Sequence, residues 1–322
     1  MAKFCGNCGG EVSASARFCD QCGKPIPQER QPHFEGVANR SVIQQIGSIN
    51  VQGMNEEQFR ALTGQLSQLL ERVGVPTQVS LEEDAAPLSQ EARQVAQAVE
   101  KKVEEAQRNF GAAVGDPDVY LRLGNVDYTN GNIEEAVVSY DKTLVLNPDY
   151  ADAWNNRGNA LGNLGRHQEA VASYDKALAL NPGYADAWNN RGFSLIDLNR
   201  YQEALASYDK ALALKPDYAD AWNNRGAALG LLNRYQEALA SCDKALALKP
   251  NDAKVWNNRG TALGALNRHQ EALDSYDKAL ALKPDYADVW NNRGMDLRTL
   301  RRHGEAEDSF KKADELRERG SG

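Results

Sequence analysis

Four of the five cysteines lie within the first 22 residues, as two Cys-x-x-Cys pairs: Cys5 with Cys8, and Cys19 with Cys22. A phenylalanine precedes each pair and a glycine follows it, so the two pairs share one sequence frame. If each pair lies in a tight turn, the two turns can present four thiolates to one ion, which suits the tetrahedral coordination of Zn²⁺. Because protein would fill all four positions, the ion would have a structural role. The predicted cofactor is one structural Zn²⁺.

Two alternatives bear on this cysteine set. A redox dithiol needs a single Cys-x-x-Cys beside a βαβ pattern, which this sequence lacks, whereas iron in the same four-thiolate cage is the alternative metal. Residues 3–27 resemble the short bacterial zinc-ribbon modules, which bind nucleic acid in some families and proteins in others. The residues available for nucleic-acid contact form a thin set: Lys3, Phe4, Arg17, Phe18, Lys24 and Arg30. We therefore predict a zinc ribbon at 1–27, followed by a linker at 28–40.

The composition limits the function classes. The 322 residues include 45 acidic and 37 basic side chains, a formal net charge of −8, which argues against non-specific binding to duplex nucleic acid or to anionic membranes. No apolar run approaches the ~18 residues of a membrane-spanning helix, and the start of the chain lacks the apolar core of a signal peptide. A cytoplasmic protein without membrane contact is predicted. The sequence shows no nucleophile–base pair, phosphate loop or open metal site, so we predict no enzyme activity.

A period of 34 residues organises most of the chain. Tryptophan and proline mark it: Trp154, Trp188, Trp222, Trp256 and Trp290, with Pro148, Pro182, Pro216, Pro250 and Pro284. One unit between them carries Gly158, Leu161, Ala170, Tyr174 and Ala177. This pattern resembles the tetratricopeptide repeat (TPR), and the resemblance covers residues 117–320 as six units. It implies a mainly α fold, an α-solenoid of six helical hairpins that each consist of a helix A and a helix B.

The chain between the zinc ribbon and the repeats carries two predicted segments. Gly47-Ser48 between two β-prone runs predicts a β-hairpin, and a leucine-rich stripe after it predicts a helix, so 41–74 is a predicted hairpin–helix segment. Residues 75–86 are a predicted linker and 87–115 a predicted amphipathic helix. We favour packing of this helix on the repeats, because alanine occupies two positions of its apolar stripe. The alternative is self-association through residues 41–110.

Charged residues recur with an offset of one repeat. Aspartate stands in helix B of units one to five and arginine in helix A of units two to six: Asp141, Asp175, Asp209, Asp243, Asp277, and Arg157, Arg191, Arg225, Arg259, Arg293. This offset predicts a ladder of structural ion pairs that joins helix B of each repeat to helix A of the next.

The resemblance implies that one side of helix A lines a concave groove, and asparagines crowd that side. An amide can both donate to and accept from a peptide backbone. The predicted peptide-binding residues are Asn155, Asn156, Asn159, Asn189, Asn190, Asn223, Asn224, Asn257, Asn258, Asn291 and Asn292. The alternative is that these asparagines are ordinary residues of the repeat that remain solvated.

The charge of the groove predicts the kind of partner. The first groove-lining position of helix A is an aspartate in five units and a lysine in the fifth: Asp118, Asp152, Asp186, Asp220, Lys254 and Asp288. A neutral or basic extended peptide is therefore the predicted ligand, read along the floor by Phe193, Leu231, Thr261 and Met295. We predict an interaction scaffold that holds a peptide or partner protein in the groove. The alternative is a regulator whose ribbon contacts nucleic acid while the repeats recruit a protein.

Two further interpretations concern single residues. His167, His269 and His303 are predicted to be packing substitutes for tyrosine, and Cys242 is predicted to be a small buried hydrophobe.

Overall fold

The structure is a computed structural model that describes residues 3–4, 11–12, 46–49, 56–72, 90–110 and 116–320. Two short strands, β1 (Lys3–Phe4) and β2 (Glu11–Val12), pair in antiparallel fashion, with Lys3 opposite Val12. They stand directly before and after residues 5–10, the part of the sequence that contains Cys5 and Cys8. All four ribbon cysteines lie outside the described residues, and so does the predicted linker at 28–40.

Two helices, α1 (Glu56–Arg72) and α2 (Gln90–Phe110), precede the repeats. The repeats then form six helical hairpins, in which the A and B helices of each repeat pack along one another. We name these helices 1A and 1B to 6A and 6B. Their bounds are Pro117–Thr129 and Ile133–Leu146, Ala151–Asn163 and His167–Leu180, Ala185–Asp197 and Tyr201–Leu214, Ala219–Leu231 and Tyr235–Leu248, Ala253–Ala265 and His269–Leu282, and Ala287–Thr299 and His303–Gly320. The predicted mainly α solenoid is confirmed for residues 117–320.

Local sequence explains where these helices end. Two residues after the end of each A helix stands a residue in the left-handed region (φ 58° to 83°), where glycine and asparagine fit with least strain: Gly131, Gly165, Asn199, Asn233, Asn267 and, in the last repeat, Arg301. Each tryptophan indole then donates to the carbonyl oxygen of the preceding proline at 2.8–3.0 Å. This bond ties the turn between repeats to the start of the next helix A.

Glycine is required where helices A and B cross. A Cβ atom on Gly158 would lie 2.5 Å from the ring of Tyr174, and most other repeats show the same close approach. In the fourth repeat Cys242 replaces the tyrosine, and a Cβ on Gly226 would meet the Cys242 sulfur at 3.0 Å. In the other five repeats the glycine and the aromatic residue therefore form one packing unit, in which the ring occupies the space of the missing side chain.

The predicted ladder of ion pairs is confirmed. In all five inter-repeat junctions the arginine Nε donates to the aspartate Oδ1 at 2.6–2.8 Å. The same arginine donates from Nη1 to a serine hydroxyl of its own helix B, at 2.7–2.9 Å, and stacks over the tryptophan of its own helix A. The aspartates are half exposed, so each ion pair contributes only about 1 kcal/mol or less.

The segment before the repeats departs from the predicted hairpin. Residues 46–48 are helical, so Gly47-Ser48 does not form the predicted hairpin turn. The Ile49 amide donates to the Ile46 carbonyl oxygen at 3.3 Å and closes this helical turn. The reason is packing: a helical turn places Ile46 and Ile49 on one side, and both contact an apolar cluster with Leu66 of α1. The hairpin prediction is therefore wrong at its turn, and the runs that flank the turn lie outside the described residues.

The same apolar cluster joins α1 and α2 to the first repeat. Val95, Val99 and Val103 of α2 are buried together with Tyr120 and Leu123 of helix 1A. Arg122 of helix 1A, also buried, donates from Nε to the Ser67 hydroxyl of α1 at 3.1 Å. Both helices therefore extend the array at its N-terminal end, and for α2 this confirms the predicted packing on the repeats. No helix among the described residues is long and apolar enough to cross a membrane. Self-association through 41–110 stays a prediction.

Candidate interaction surface on the inner face of the repeats

The A helices form one continuous side of the array. Each A helix contacts the A helix of the next repeat, whereas successive B helices do not contact one another along residues 117–320. The A helices are therefore closer together than the B helices, and the array curves with its A helices inside. We call the side formed by the A helices the inner face, which corresponds to the concave groove that the repeat pattern implies.

Five of the predicted peptide-binding asparagines are not available on this face. Their exposed fractions are between 0% and 7%: Asn155, Asn156, Asn159, Asn189 and Asn190. Side chains this deeply buried cannot pair with a peptide backbone without rearrangement, so the prediction is corrected for these residues. The remaining six are partly exposed: Asn223, Asn224, Asn257, Asn258, Asn291 and Asn292.

The asparagines bind one another from repeat to repeat. In repeats 3 to 6 the second asparagine of the pair donates its Nδ2 to the first asparagine of the preceding repeat, as Asn224 does to Asn189 at 3.1 Å and Asn258 does to Asn223 at 2.9 Å. Asn190 and Asn292 make the equivalent bonds to Asn155 and Asn257, at 3.4 Å and 3.1 Å. In repeat 2, Asn156 donates instead to Asn125 Oδ1 of repeat 1, at 3.0 Å. We call this chain of bonds the asparagine ladder. Its amides hold neighbouring A helices in register. The sequence pattern alone cannot distinguish this structural role of the asparagines from a role in ligand binding.

Tyrosine hydroxyls complete the ladder at the N-terminal end. Tyr140 donates to Asn125 Oδ1 at 2.9 Å, and Tyr174 donates to Asn159 Oδ1 at 2.8 Å. Burial raises the pKa of both phenols well above the usual range, so they keep the protons that they donate. Asn125 and Asn159 both occupy position A9, counted from the first residue of helix A. In repeats 1 and 2, position A9 therefore belongs to the interior.

Position A9 faces solvent in the later repeats, and apolar side chains occupy it there. Phe193 and Met295, both at A9, are 50% exposed, and Leu231 at position A13 is 49% exposed. Thr261 at A9 of the fifth repeat is also exposed. All four predicted floor residues thus lie on the accessible inner face. Exposed apolar side chains that line one concave side are typical of interaction surfaces.

The predicted acidic edge is present, and several of its carboxylates bind a side chain at the far end of their own repeat. Asp118 accepts from the Tyr150 hydroxyl at 2.7 Å, and Asp220 accepts from Lys249 Nζ at 3.1 Å. In the last repeat Arg317 donates to Asp288 at 3.4 Å. Sequence reasoning missed these partners, each of which is a lysine, an arginine or a tyrosine near the end of the repeat that contains the aspartate. The edge is consequently less negative than its aspartates alone indicate.

Two other interpretations are tested by the structure. His269 is more than a packing substitute, because its Nδ1 lies 2.7 Å from Oδ1 of Asp296 in the next repeat, and both side chains are largely buried. His167 makes a looser approach to Asp197, at 3.5 Å. Cys242 is buried, and burial raises the pKa of its thiol to about 12, so it is an unreactive core residue.

One solved structure shows the same fold, and two others are reported beside it. The structure of pilF from Pseudomonas aeruginosa is 24% identical and covers 60% of this chain and 88% of its own, with a TM-score of 0.54, which shows a shared fold. YrrB, described as a TPR protein with an unusual peptide-binding site, is 26% identical over 55% of this chain and 91% of its own (TM-score 0.47). MamA from Desulfovibrio magneticus RS-1 is 23% identical over 53% of this chain and 97% of its own (TM-score 0.49).

Family comparison covers the same region. No curated protein matches the chain. Tetratricopeptide repeat models match residues 151–184, 173–206, 219–252, 253–286 and 287–319, and a TPR repeat model matches residues 124–165 and 194–232. Together these matches cover residues 124–319 without a gap, which is more than half of the chain. The chain therefore belongs to the tetratricopeptide repeat family.

Proposed function

We propose that this protein is an interaction scaffold that holds an extended segment of a partner protein on the inner face of its repeats. Tetratricopeptide repeats support a protein-interaction role, and such repeats are typically non-catalytic. Curved arrays of stacked repeats present extended concave surfaces to their partners. The observation that carries the proposal is the exposure of Phe193, Leu231 and Met295 on that surface. These side chains contrast with the inner asparagines, which bind within the protein.

Charge on the inner face favours a neutral or basic partner. Asp186 and Asp220 lie at the start of helices 3A and 4A, and Asp197 is exposed at the end of helix 3A. In helix 5A the position equivalent to Asp186 and Asp220 is the basic residue Lys254. Complementary charge speeds encounter with the partner and selects against a strongly acidic one.

The proposal is tested by affinity capture from a cell extract with mass spectrometry. The inner variant carries Phe193→Ser, Leu231→Ser and Met295→Ser. The matched outer variant carries Leu180→Ser, Leu214→Ser and Leu248→Ser, at leucines near the end of the B helices that are 39–46% exposed. We expect one partner that the wild type and the outer variant capture and the inner variant does not. A partner that all three proteins capture equally would place the interaction elsewhere.

We also propose that Cys5, Cys8, Cys19 and Cys22 hold one structural Zn²⁺. Four thiolates are a donor set that zinc prefers, and strands β1 and β2, which flank Cys5 and Cys8 in sequence, are consistent with a metal-binding turn between them. Metal analysis of the purified protein should find one zinc ion per chain, lost in Cys5→Ser and retained in the control Cys242→Ser. Iron in that analysis would favour the alternative metal, and full metal content in Cys5→Ser would contradict the site.

The variant Cys5→Ser also tests the alternative function, in which the zinc ribbon contacts nucleic acid. If the ribbon contacts nucleic acid, the wild type should bind an oligonucleotide in a salt-dependent way, and Cys5→Ser should lose this binding. Equal binding by both proteins, or none by either, would leave the interaction scaffold as the better account.

A further inference from the structure

The repeats of this chain vary in a pattern that points to the inner face. Repeats 2 to 6 are identical over the five residues Trp-Asn-Asn-Arg-Gly of helix A. Only two positions of the repeat differ in all five of them: A9, with Asn159, Phe193, Ala227, Thr261 and Met295, and A13, with Asn163, Asp197, Leu231, Ala265 and Thr299. From the third repeat onward all of these residues are exposed. Core packing therefore does not account for their variety.

Positions A9 and A13 form one strip along the array. They are four residues apart, so both side chains lie on the same side of the helix. Because consecutive A helices contact each other, the A9 and A13 side chains of repeats 3 to 6 follow one another without interruption. We call these eight residues the variable strip. It begins at Phe193 and Asp197 and ends at Met295 and Thr299.

The spacing of the strip selects the conformation of a ligand that runs along it. Packed helices lie about 8–10 Å apart, so the strip offers one contact point about every 9 Å. A polyproline II helix advances about 9.3 Å per turn of three residues, and every third side chain points the same way. In a β-strand, every second side chain points the same way, at a spacing of about 6.7 Å. The three-residue period matches the strip and the two-residue period does not.

The chemistry of the strip selects the side chains of that ligand. Phe193, Leu231 and Met295 offer apolar contacts, and a flat aromatic ring such as that of Phe193 suits a proline ring. The carboxylates on and beside the strip are Asp186, Asp197, Asp220 and Asp288, and Lys249 and Arg317 pair with the last two. Negative charge is therefore concentrated in repeat 3, where Asp186 and Asp197 share helix 3A with Phe193, and this favours basic residues next to the apolar side chain bound there.

We propose that the variable strip of repeats 3 to 6 binds a polyproline II segment of about nine residues that carries an apolar side chain at every third position and basic residues between them. This inference rests on the proposed function and names its ligand class. The asparagine ladder has a supporting role. The bonds from Asn224 to Asn189 and from Asn292 to Asn257 join neighbouring A helices beside the strip and so fix their spacing.

The test uses the full chain and three labelled peptides of twelve residues in a fluorescence polarisation assay. The first repeats Leu-Pro-Lys four times, the second repeats Leu-Pro-Glu four times, and the third alternates Leu and Lys. We expect the first to bind at least about tenfold more tightly than the other two, because only it combines the matching period with the matching charge. Equal binding of the alternating peptide would overturn the period, and equal binding of the acidic peptide would overturn the charge.

The inner and outer triple variants locate the binding. The inner variant should bind the Leu-Pro-Lys peptide at least about tenfold more weakly, whereas the outer variant should bind as the wild type does. Circular dichroism of both variants shows whether they are folded. If the inner variant binds the peptide normally, the strip is not the site. If the Leu-Pro-Lys peptide does not bind although the captured partner depends on the inner residues, the scaffold function stands and this ligand class is wrong.

Discussion

The two ends of the inner face differ although their backbones repeat. In repeats 1 and 2, position A9 is a buried asparagine that accepts a hydrogen bond from the tyrosine of helix B. In repeat 3, Tyr208 is equally buried, but the A9 residue is Phe193, which has no acceptor to offer and lies half exposed. One side chain per repeat therefore decides whether this position joins the interior or presents an apolar surface. At the N-terminal end the inner face is closed by internal hydrogen bonds, and at the C-terminal end it exposes apolar side chains.

The largest expected effect tests whether the two ends share one core. Gly158→Ala and Gly192→Ala would each place a Cβ about 2.5 Å from a buried tyrosine ring, an overpacking that costs about 3 kcal/mol, partly offset by about 1 kcal/mol of helix propensity. We expect a net loss of about 2 kcal/mol in both repeats. Amide hydrogen exchange of the substituted repeat measures it, since repeat arrays open in parts.

Gly226→Ala is the matched control for these glycines. The neighbouring group there is the Cys242 sulfur at 3.0 Å, which leaves more room than a tyrosine ring. We expect a change within about 1 kcal/mol. An equally large loss in all three variants would show that the ring is not the cause, and unequal losses at Gly158 and Gly192 would show that the ends differ in more than their inner surface.

The next effect separates the buried and the accessible parts of the asparagine ladder. Asn156 donates to Asn125 Oδ1 at 3.0 Å and accepts from Asn155 at 3.3 Å, fully out of contact with water. Asn156→Ala should therefore cost about 2 kcal/mol. Asn292→Ala removes a partly exposed bond to Asn257 and should cost about 0.5 kcal/mol. Equal losses in urea denaturation would contradict the contrast between the two ends.

A pH dependence should mark the N-terminal end. Burial, with the charge of Glu100 adding to it, raises the pKa of the Asp127 carboxyl to about 6. Because the unfolded carboxyl has a pKa near 4, the folded chain binds this proton more tightly. The stabilisation is therefore complete below about pH 4 and is lost as the pH rises through about 6.

The substitution Asp127→Asn tests that origin. We expect the variant to be more stable than the wild type at about pH 7, and the stability of repeat 1 to vary less between about pH 4 and pH 7. Asp217→Asn, at an exposed carboxylate between repeats 3 and 4, is the control and should leave the profile unchanged. A wild-type profile that persists in Asp127→Asn would assign the dependence to another group.

The smallest effect concerns the ladder of ion pairs, which does not distinguish the two ends. Asp175→Asn and Asp209→Asn each weaken a bond of 2.7 Å to an arginine, at carboxylates that are half exposed. Both should cost less than about 1 kcal/mol, and less still at high salt. Urea denaturation at two salt concentrations measures this. A loss of several kcal/mol at either position would show that the ladder also determines the repeat geometry.

Sequence reasoning succeeded where spacing alone constrains the structure. The period of 34 residues predicts the helical hairpins, and the offset between Asp141 and Arg157 predicts their pairing across repeats, because both follow from repetition along one axis. It failed at Gly47-Ser48, where a turn-like dipeptide became helical. Burial of Ile46 against α1 and α2 outweighed local turn preference, and that burial depends on residues distant in sequence.

The candidate site was predicted only in part for a related reason. Phe193, Leu231, Thr261 and Met295 were predicted on the inner face and lie there, since helical periodicity determines which side of helix A they occupy. The same periodicity placed Asn156 and Asn190 on that face, yet they are buried. Whether an inward-facing amide meets water or another amide depends on how close the next helix lies.

The amino-acid sequence by itself determined the number of repeats, the helical hairpin in each of them and the ion pairs between them, because each depends on spacing within one or two repeats. Only the tertiary structure decided which polar groups of the inner face form hydrogen bonds within the protein. That outcome depends on the distance between neighbouring A helices, which allows Asn224 to reach Asn189 and Tyr174 to reach Asn159. The part of the inner face that stays exposed lies in helices 3A to 6A, where apolar side chains such as Phe193, Leu231 and Met295 take no part in the asparagine ladder.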